Sequence, residues 1–170
     1  ACCRTRSVPK LPALRVAVNL SPRQFLRPGM ANTVARILRE TQLEPHRLDL
    51  EITESLLMKD VQGGIATMHA LKAIGVKLSI DDFGTGYSSL NYLKQFPIDQ
   101  LKIDKSFLHE IVTSQDDAAI TLAMIAMAHS MRLTVIAEGV ENETQLAFLR
   151  ANQCDEIQGY HVSGPVPPDE

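Results

Sequence analysis

The stretch VKLSIDDFGTGYSSL, residues 76–90, changes from a strand pattern to a turn pattern within a few residues. Its first half alternates aliphatic with polar residues, which indicates a strand with one apolar face. Asp81 and Asp82 end this alternation, and Gly84 and Gly86 follow. Because neighbouring strand residues point to opposite faces, both carboxylates reach one cavity only if the strand ends between them. The glycines permit such a turn, so the stretch predicts an acidic site at a strand end.

The same alternation recurs along the chain, separated by segments with helical periodicity. The six predicted strands are RVAVNL (15–20), RLDLEIT (47–53), VKLSID (76–81), QLKID (100–104), TVIAEGV (134–140) and DEIQG (155–159). The four predicted helices are 28–42, 60–74, 114–131 and 142–152. Strands that alternate with helices indicate parallel βαβ units.

The polar face of each predicted strand decides the fold class. Strands of an open doubly wound sheet are apolar on both faces, whereas these have one apolar face only. They therefore fit a TIM-like (β/α)8 barrel, whose complete form takes about 250 residues and eight units. With 170 residues and six strands, we expect residues 1–170 to form one domain, an incomplete barrel of about six βα units that lacks the first two.

Composition excludes several classes of function. A net charge of −3 and a pI near 6.0 give no broad positive field, so we expect no DNA or RNA partner. The three cysteines lack metal-ligand spacing and favour a reducing, cytoplasmic compartment. The apolar segment 118–131 is shorter than a membrane span, and the basic start has no apolar signal region behind it, so no membrane contact is expected.

The polar residues that end the predicted strands should meet at one end of the barrel, where TIM-like barrels hold their active sites. They are Asn19, Glu51, Asp81, Lys102, Glu138 and Gln158, with Asp82 beside them. Oxygen ligands without His or Cys suit Mg²⁺, Mn²⁺ or Ca²⁺ rather than Zn²⁺. Two such ions that share a carboxylate can cleave a phosphodiester. Each residue taken singly could instead be a cap or a surface charge.

Six motifs resemble those of one bacterial family, in the same order and with similar spacing. They are NLSPRQF (19–25), LEITES (50–55), IDDFGTGYSSL (80–90), LKIDKSF (101–107), AEGVE (137–141) and QGY (158–160). Over about residues 14–167 the chain resembles the EAL-domain cyclic di-GMP phosphodiesterases. The resemblance implies a TIM-like barrel that hydrolyses cyclic di-GMP to linear pGpG with two Mg²⁺ or Mn²⁺ ions.

The resemblance also implies roles for individual residues. Asn19, Glu51 and Asp81 would hold one metal ion, and Asp81, Asp82 and Glu138 the other. Lys102 would contact the attacking water and act with Glu138 in catalysis, while Gln158 would contact the water or substrate. Glu54 would steady the loop after Asp82, at about residues 83–90, where the family forms homodimers.

Two features depart from the family pattern. The Glu-Ala-Leu motif, which supplies another metal-binding glutamate and a nearby arginine, would lie some tens of residues before Asn19, and no such motif occurs there. After the motif QGY (158–160), the sequence HVSGP stands where the family usually has aromatic and basic residues. Three readings stay open: a phosphodiesterase, a silent module that senses cyclic di-GMP or a partner protein, and an inactive truncated chain. Each is compatible with a cytoplasmic protein or the cytoplasmic part of a larger membrane or multidomain signalling protein.

Overall fold

The strands form one parallel sheet in a computed structural model that describes residues 14–86 and 90–166. Within these ranges the six strands pair in chain order, each with the next. They are β1 Val16–Asn19, β2 Leu48–Thr53, β3 Lys77–Phe83, β4 Gln100–Ile103, β5 Thr134–Glu138 and β6 Glu156–Gln158. All six strands predicted from the alternation are confirmed.

Four long helices connect the strands, as the helical periodicity predicts. They are α2 Met30–Thr41, α4 Val61–Lys72, α6 Gln115–Ser130 and α7 Glu143–Ala151. The capping box predicted for α7 is present: Asn142 accepts a hydrogen bond from the Gln145 backbone, and Gln145 caps Asn142 in return. The predicted helix 28–42 is shorter at both ends, because Gly29 and Gln42 adopt left-handed backbone conformations with φ of 79° and 56°.

Three single-turn helices were not predicted by the periodicity, which needs more than four residues to be recognised. They are α1 Pro22–Phe25, α3 Glu54–Leu57 and α5 Leu90–Leu93. Each follows the C-terminal end of a strand. These short helices therefore lie at the end of the sheet where the polar strand-end residues gather.

The sheet curves strongly between its two edge strands. Arg15, just before β1, forms an ion pair of 2.6 Å with Glu156 at the start of β6. Strands in a sheet lie about 4.8 Å apart, so the edges of a flat six-stranded sheet would be about 24 Å apart, farther than two side chains can reach. The curved sheet is therefore an incomplete TIM-like barrel.

The aliphatic residues of the strands face the helices and form the core. Leu50, Leu78, Leu101 and Val135, from four neighbouring strands, are each at most 2% exposed. Val18 differs from this pattern and is 41% exposed, because β1 is an edge strand that pairs with β2 alone among the described residues. The core thus lies between the sheet and the outer helices, and the opposite face of each strand is free to carry polar residues.

Across residues 14–86 and 90–166 no helix is both long and apolar enough to pass through a bilayer. Cys154 has a free thiol, while the predictions for Cys2 and Cys3 fall outside the described residues.

Candidate functional site

Lys102 lies at the centre of the polar strand-end residues. Its ammonium donates a hydrogen bond of 2.6 Å to Glu51 Oε1, forms an ion pair with Glu138 Oε1 and lies 3.5 Å from Asp81 Oδ1. These groups come from β2, β3, β4 and β5, and parallel pairing brings their C-terminal ends together. Four of the predicted strand-end residues therefore converge, as expected.

Burial and charge shift the ionisation of this cluster. Burial alone would lower the pKa of Lys102, but hydrogen bonds to Glu138 and Glu51 outweigh it and raise that pKa above its ordinary value. Burial raises the pKa of Glu138, against the opposing effect of its hydrogen bond with Lys102. The site thus holds one ammonium among three carboxylates, an arrangement that favours binding of further positive charge.

Asp81 and Asp82 reach the same site through a bulge, and the prediction that the strand ends between them is wrong. β3 continues to Phe83, and its register with β4 shifts between Ile80 and Phe83. Asp82 adopts a left-handed conformation with φ of 53°, and its backbone N–H donates to Asp81 Oδ1 over 3.1 Å. A bulge re-aims a side chain without ending the strand, so neighbouring carboxylates can face one cavity.

The left-handed backbone at Asp82 yields a prediction about stability. Asn and Asp tolerate this conformation, whereas a β-branched residue does not. Asp82→Val should therefore lower the free energy of unfolding by about 2 kcal/mol more than Asp82→Asn, as measured by urea denaturation. Equal losses for the two variants would show that the backbone at residue 82 is not constrained in the protein.

Three carboxylates of the site are close enough to share a metal ion. One oxygen from each of Asp81, Asp82 and Glu138 lies within 4.8 Å of the others. Burial raises the pKa of Asp82, and the charges of Asp81 and Asp104 raise it further, so Asp82 lies among carboxylates that repel it. Carboxylate oxygens in such a group are the ligands that Mg²⁺ and Mn²⁺ prefer. The donor set therefore fits a hard divalent cation.

Asn19 and Gln158 occupy the outer positions of the site. The strand register places Asn19 beside Glu51 and Gln158 beside Glu138. Both side chains are exposed, in contrast to the buried Glu51, Asp81 and Lys102. The fold thus places these two residues in the same row as the central cluster, at its two edges.

Glu54 contacts the start of the loop after Asp82. Its side chain is 1% exposed, and its Oε2 accepts a hydrogen bond of 2.9 Å from the Gly84 backbone. A Cβ on Gly86 would lie 2.5 Å from Glu54 Oε1, so the loop passes directly over this carboxylate. Residues 87–89 of the predicted dimer loop fall outside the described residues.

A cavity of about 380 Å³ opens beside the acidic cluster and contains residues to which the sequence analysis gave no role. Its lining includes Asp82, Glu138 and Gln158 together with Asp104, Lys105, Glu141 and Tyr160. The last four belong to the motifs LKIDKSF, AEGVE and QGY. In the structure they follow the strands rather than lie within them. The alternation predicted Asp104 as the last residue of the strand 100–104 and gave no signal for the other three.

A second polar layer, also without an assigned role in the sequence analysis, lies one strand step below the site. Asp49 and Ser79 precede Glu51 and Asp81 by two residues, so each pair shares a strand face. Ser79 Oγ donates to Asp49 Oδ1 over 2.6 Å, and Gln100, below Lys102, lies within hydrogen-bond distance of Ser79. All three are at most 6% exposed. This layer holds β2, β3 and β4 together beneath the acidic cluster.

Comparison with known proteins identifies the family. The EAL domain family profile matches residues 1–165. The cyclic di-GMP phosphodiesterase NbdA of Pseudomonas aeruginosa is 48% identical over 154 residues, which cover 91% of this chain and 20% of NbdA. The bifunctional diguanylate cyclase/cyclic di-GMP phosphodiesterase MucR of the same organism is 44% identical over 155 residues, which cover 91% of this chain and 23% of MucR.

Solved structures agree with the sequence comparisons. The structure described as PaMucR phosphodiesterase in complex with c-di-GMP superposes with a TM-score of 0.88 at 44% identity, over 91% of this chain and 63% of that one. The chain spans about a fifth of the length of the curated relatives that it matches. From the profile match, the relatives and the shared fold, the chain belongs to the EAL domain family.

Proposed function

We propose that this chain hydrolyses cyclic di-GMP to linear pGpG at the C-terminal ends of its strands, with two divalent metal ions. The observation that carries the proposal is the cluster of Asp81, Asp82 and Glu138 around Lys102, beside an open cavity. Two relatives named as cyclic di-GMP phosphodiesterases and a neighbour solved with c-di-GMP support the choice of substrate.

The proposed metal ligands are those that the resemblance to the EAL family implies. Asn19, Glu51 and Asp81 would hold one ion, and Asp81, Asp82 and Glu138 the other. Bound Mg²⁺ or Mn²⁺ would supply positive charge that lowers the pKa of a water molecule and neutralises charge that develops on the phosphate. The bulge at Asp82 supports this assignment, because it turns two neighbouring carboxylates toward one cavity.

The roles proposed for Lys102 and Gln158 can be argued from their own contacts, without the positions of the metal ions. The Lys102 ammonium already donates to Glu51 and contacts Glu138, so it is fixed in place before substrate arrives. From this position we propose that it orients the attacking water. Gln158 lines the cavity next to Glu138 and can donate its amide N–H to the water or to a phosphate oxygen. A preorganised ammonium is effective here because it needs little rearrangement during the reaction.

The experiment that tests the proposal measures binding and turnover together. Isothermal titration calorimetry of the intact purified protein with cyclic di-GMP should show binding with Ca²⁺ present and little or none with EDTA. Addition of Mn²⁺ in place of Ca²⁺ should give pGpG as the product, measured by chromatography. Binding without product under Mn²⁺ would support a nucleotide sensor instead, and no binding would overturn the proposal.

We also propose a homodimer that forms through the loop after Asp82. The start of this loop packs on α6, because a Cβ on Gly84 would lie 2.5 Å from Met124 Cε. Leu90, which follows this loop in the chain, is 57% exposed, and Ile120, one helical turn before Met124 on α6, is 40% exposed. Exposed apolar residues beside a shared loop are typical of a surface that binds another protein.

A charge placed on this surface should break the dimer. Ile120→Lys is expected to shift the sedimentation coefficient of the intact protein to that of a monomer, because it buries an unpaired ammonium in an apolar contact. Ile37→Lys, at a residue 45% exposed on α2, is the matched control and should leave the dimer unchanged. A dimer that persists in the Ile120→Lys variant would contradict this placement of the interface.

A further inference from the structure

Lys105 lies between two cavities at the C-terminal end of the sheet. It lines the cavity of about 380 Å³ that contains Asp82 and Glu138. It also lines a second cavity of about 410 Å³, whose wall includes Ser106, His109 and Gln145. Because Lys105, Gly139 and Glu141 belong to both walls, the two cavities adjoin along this lysine.

The backbone at Lys105 is held firmly. The residue begins the short 3-10 turn Lys105–Phe107 directly after β4, and Asp104 caps this turn by accepting a hydrogen bond of 2.9 Å from the Ser106 backbone. Its stem packs across Gly139, where an added Cβ would lie 2.5 Å from the Lys105 Cβ. Gly139 follows Glu138, so the start of the Lys105 side chain is fixed next to a proposed metal ligand.

The walls of the two cavities carry several acidic residues and a single lysine. Four acidic residues line them: Asp82, Asp104, Glu138 and Glu141. Among the described residues, Lys105 is the one lysine or arginine in either wall. The ion pairs formed by lysines within residues 14–86 and 90–166 involve Lys72 and Lys102.

A cyclic dinucleotide brings two phosphodiester groups, each with one negative charge. The proposed metal ions, held by Asp81, Asp82 and Glu138, would together with Lys102 neutralise the phosphate that is cleaved. The second phosphate would meet acidic walls that repel it, unless a cation lies beside it. Lysine binds phosphate oxygens as a point charge, which suits a group that must be held but not transformed.

We propose that Lys105 binds the phosphate of cyclic di-GMP that is not being cleaved, an inference that rests on the proposed function. Lys105 thereby selects substrates with a second phosphate and contributes to substrate binding rather than to bond cleavage. The loss of this contact should weaken binding of cyclic di-GMP and leave a substrate with a single phosphodiester unaffected.

The test compares two substrates, cyclic di-GMP and bis(p-nitrophenyl) phosphate, with Mn²⁺ and the intact protein. Lys105→Met keeps the stem on Gly139 and removes the charge, so the KM for cyclic di-GMP should rise about tenfold while kcat changes less than about twofold. Hydrolysis of bis(p-nitrophenyl) phosphate should not change. Lys105→Arg should restore the KM, and Arg39→Met, on the exposed side of α2, should resemble the unmodified protein.

The possible results separate this inference from the proposed function. An unchanged KM for cyclic di-GMP in Lys105→Met would overturn the inference and leave the proposed function intact. An equal loss with both substrates would also overturn it, because it would show a structural effect of the substitution. If the unmodified protein hydrolyses neither substrate, the proposed function fails, and the inference fails with it.

Discussion

Replacing Lys102 by methionine is expected to lower the free energy of unfolding by about 3–5 kcal/mol, because it leaves buried carboxylates without their counter-charge. The side chains of Lys102 and Glu51 are 3% and 8% exposed, so solvent screens their interaction little. Glu138 and Asp81 lose the same partner. Urea denaturation of the intact protein with EDTA present would measure the loss.

A divalent metal and a second lysine serve as controls for this variant. Mn²⁺ should recover much of the lost stability of Lys102→Met without restoring hydrolysis, since it supplies charge but not an ammonium donor. Lys72→Met removes the ion pair between Lys72 and Asp99, whose side chains are 30% and 29% exposed, respectively. It should lower the free energy of unfolding by about 1 kcal/mol or less. If Lys102→Met were as stable as Lys72→Met, Lys102 would not be the counter-charge of the cluster.

Asp81→Asn is expected to reduce kcat for cyclic di-GMP by at least about a thousandfold while the fold is kept. The amide has the size of the carboxylate and can still accept the hydrogen bond from the Asp82 backbone, but it carries no charge for a bridging ligand. Kinetic assays with Mn²⁺, together with circular dichroism, would separate the loss of activity from any loss of structure.

Asp155→Asn is the matched control for the Asp81 variant. Asp155 lies before β6, where it accepts a hydrogen bond from the Val135 backbone and contacts His129. It belongs to the opposite end of the sheet from the acidic cluster, so its substitution should leave kcat within about twofold. Hydrolysis by Asp81→Asn at a similar rate would remove Asp81 from the proposed metal ligands.

The strands and long helices could be predicted from the sequence because their periodicity reflects burial directly. Leu78 and Ile80 must face the core, and this requirement places Ser79 and Asp81 on the inner face. The conformation of Asp82 could not be predicted in this way. A bulge depends on the pairing of β3 with β4, and pairing is a tertiary property that alternation within one strand does not contain.

The site was predictable only in part for a similar reason. Glu51, Asp81, Lys102 and Glu138 lie near the C-terminal ends of strands that are neighbours in the sheet, so their convergence followed from the fold class. Asp104 ends the predicted strand 100–104 but in the structure caps the turn after β4, and Lys105 lies beyond the alternation. Both enter the cavity from that turn. The ion pair between Arg15 and Glu156 joins residues that are far apart in the chain and becomes visible only once the sheet curves.

The central claim is that the acidic strand ends form a metal-dependent site that cleaves cyclic di-GMP. The most direct measurement incubates the intact protein with cyclic di-GMP, with Mn²⁺ or with EDTA, and separates the products by chromatography. The account predicts linear pGpG with Mn²⁺, no product with EDTA, and no product from Asp81→Asn with Mn²⁺. Intact cyclic di-GMP after incubation of the unmodified protein with Mn²⁺, or equal product from Asp81→Asn, would contradict it.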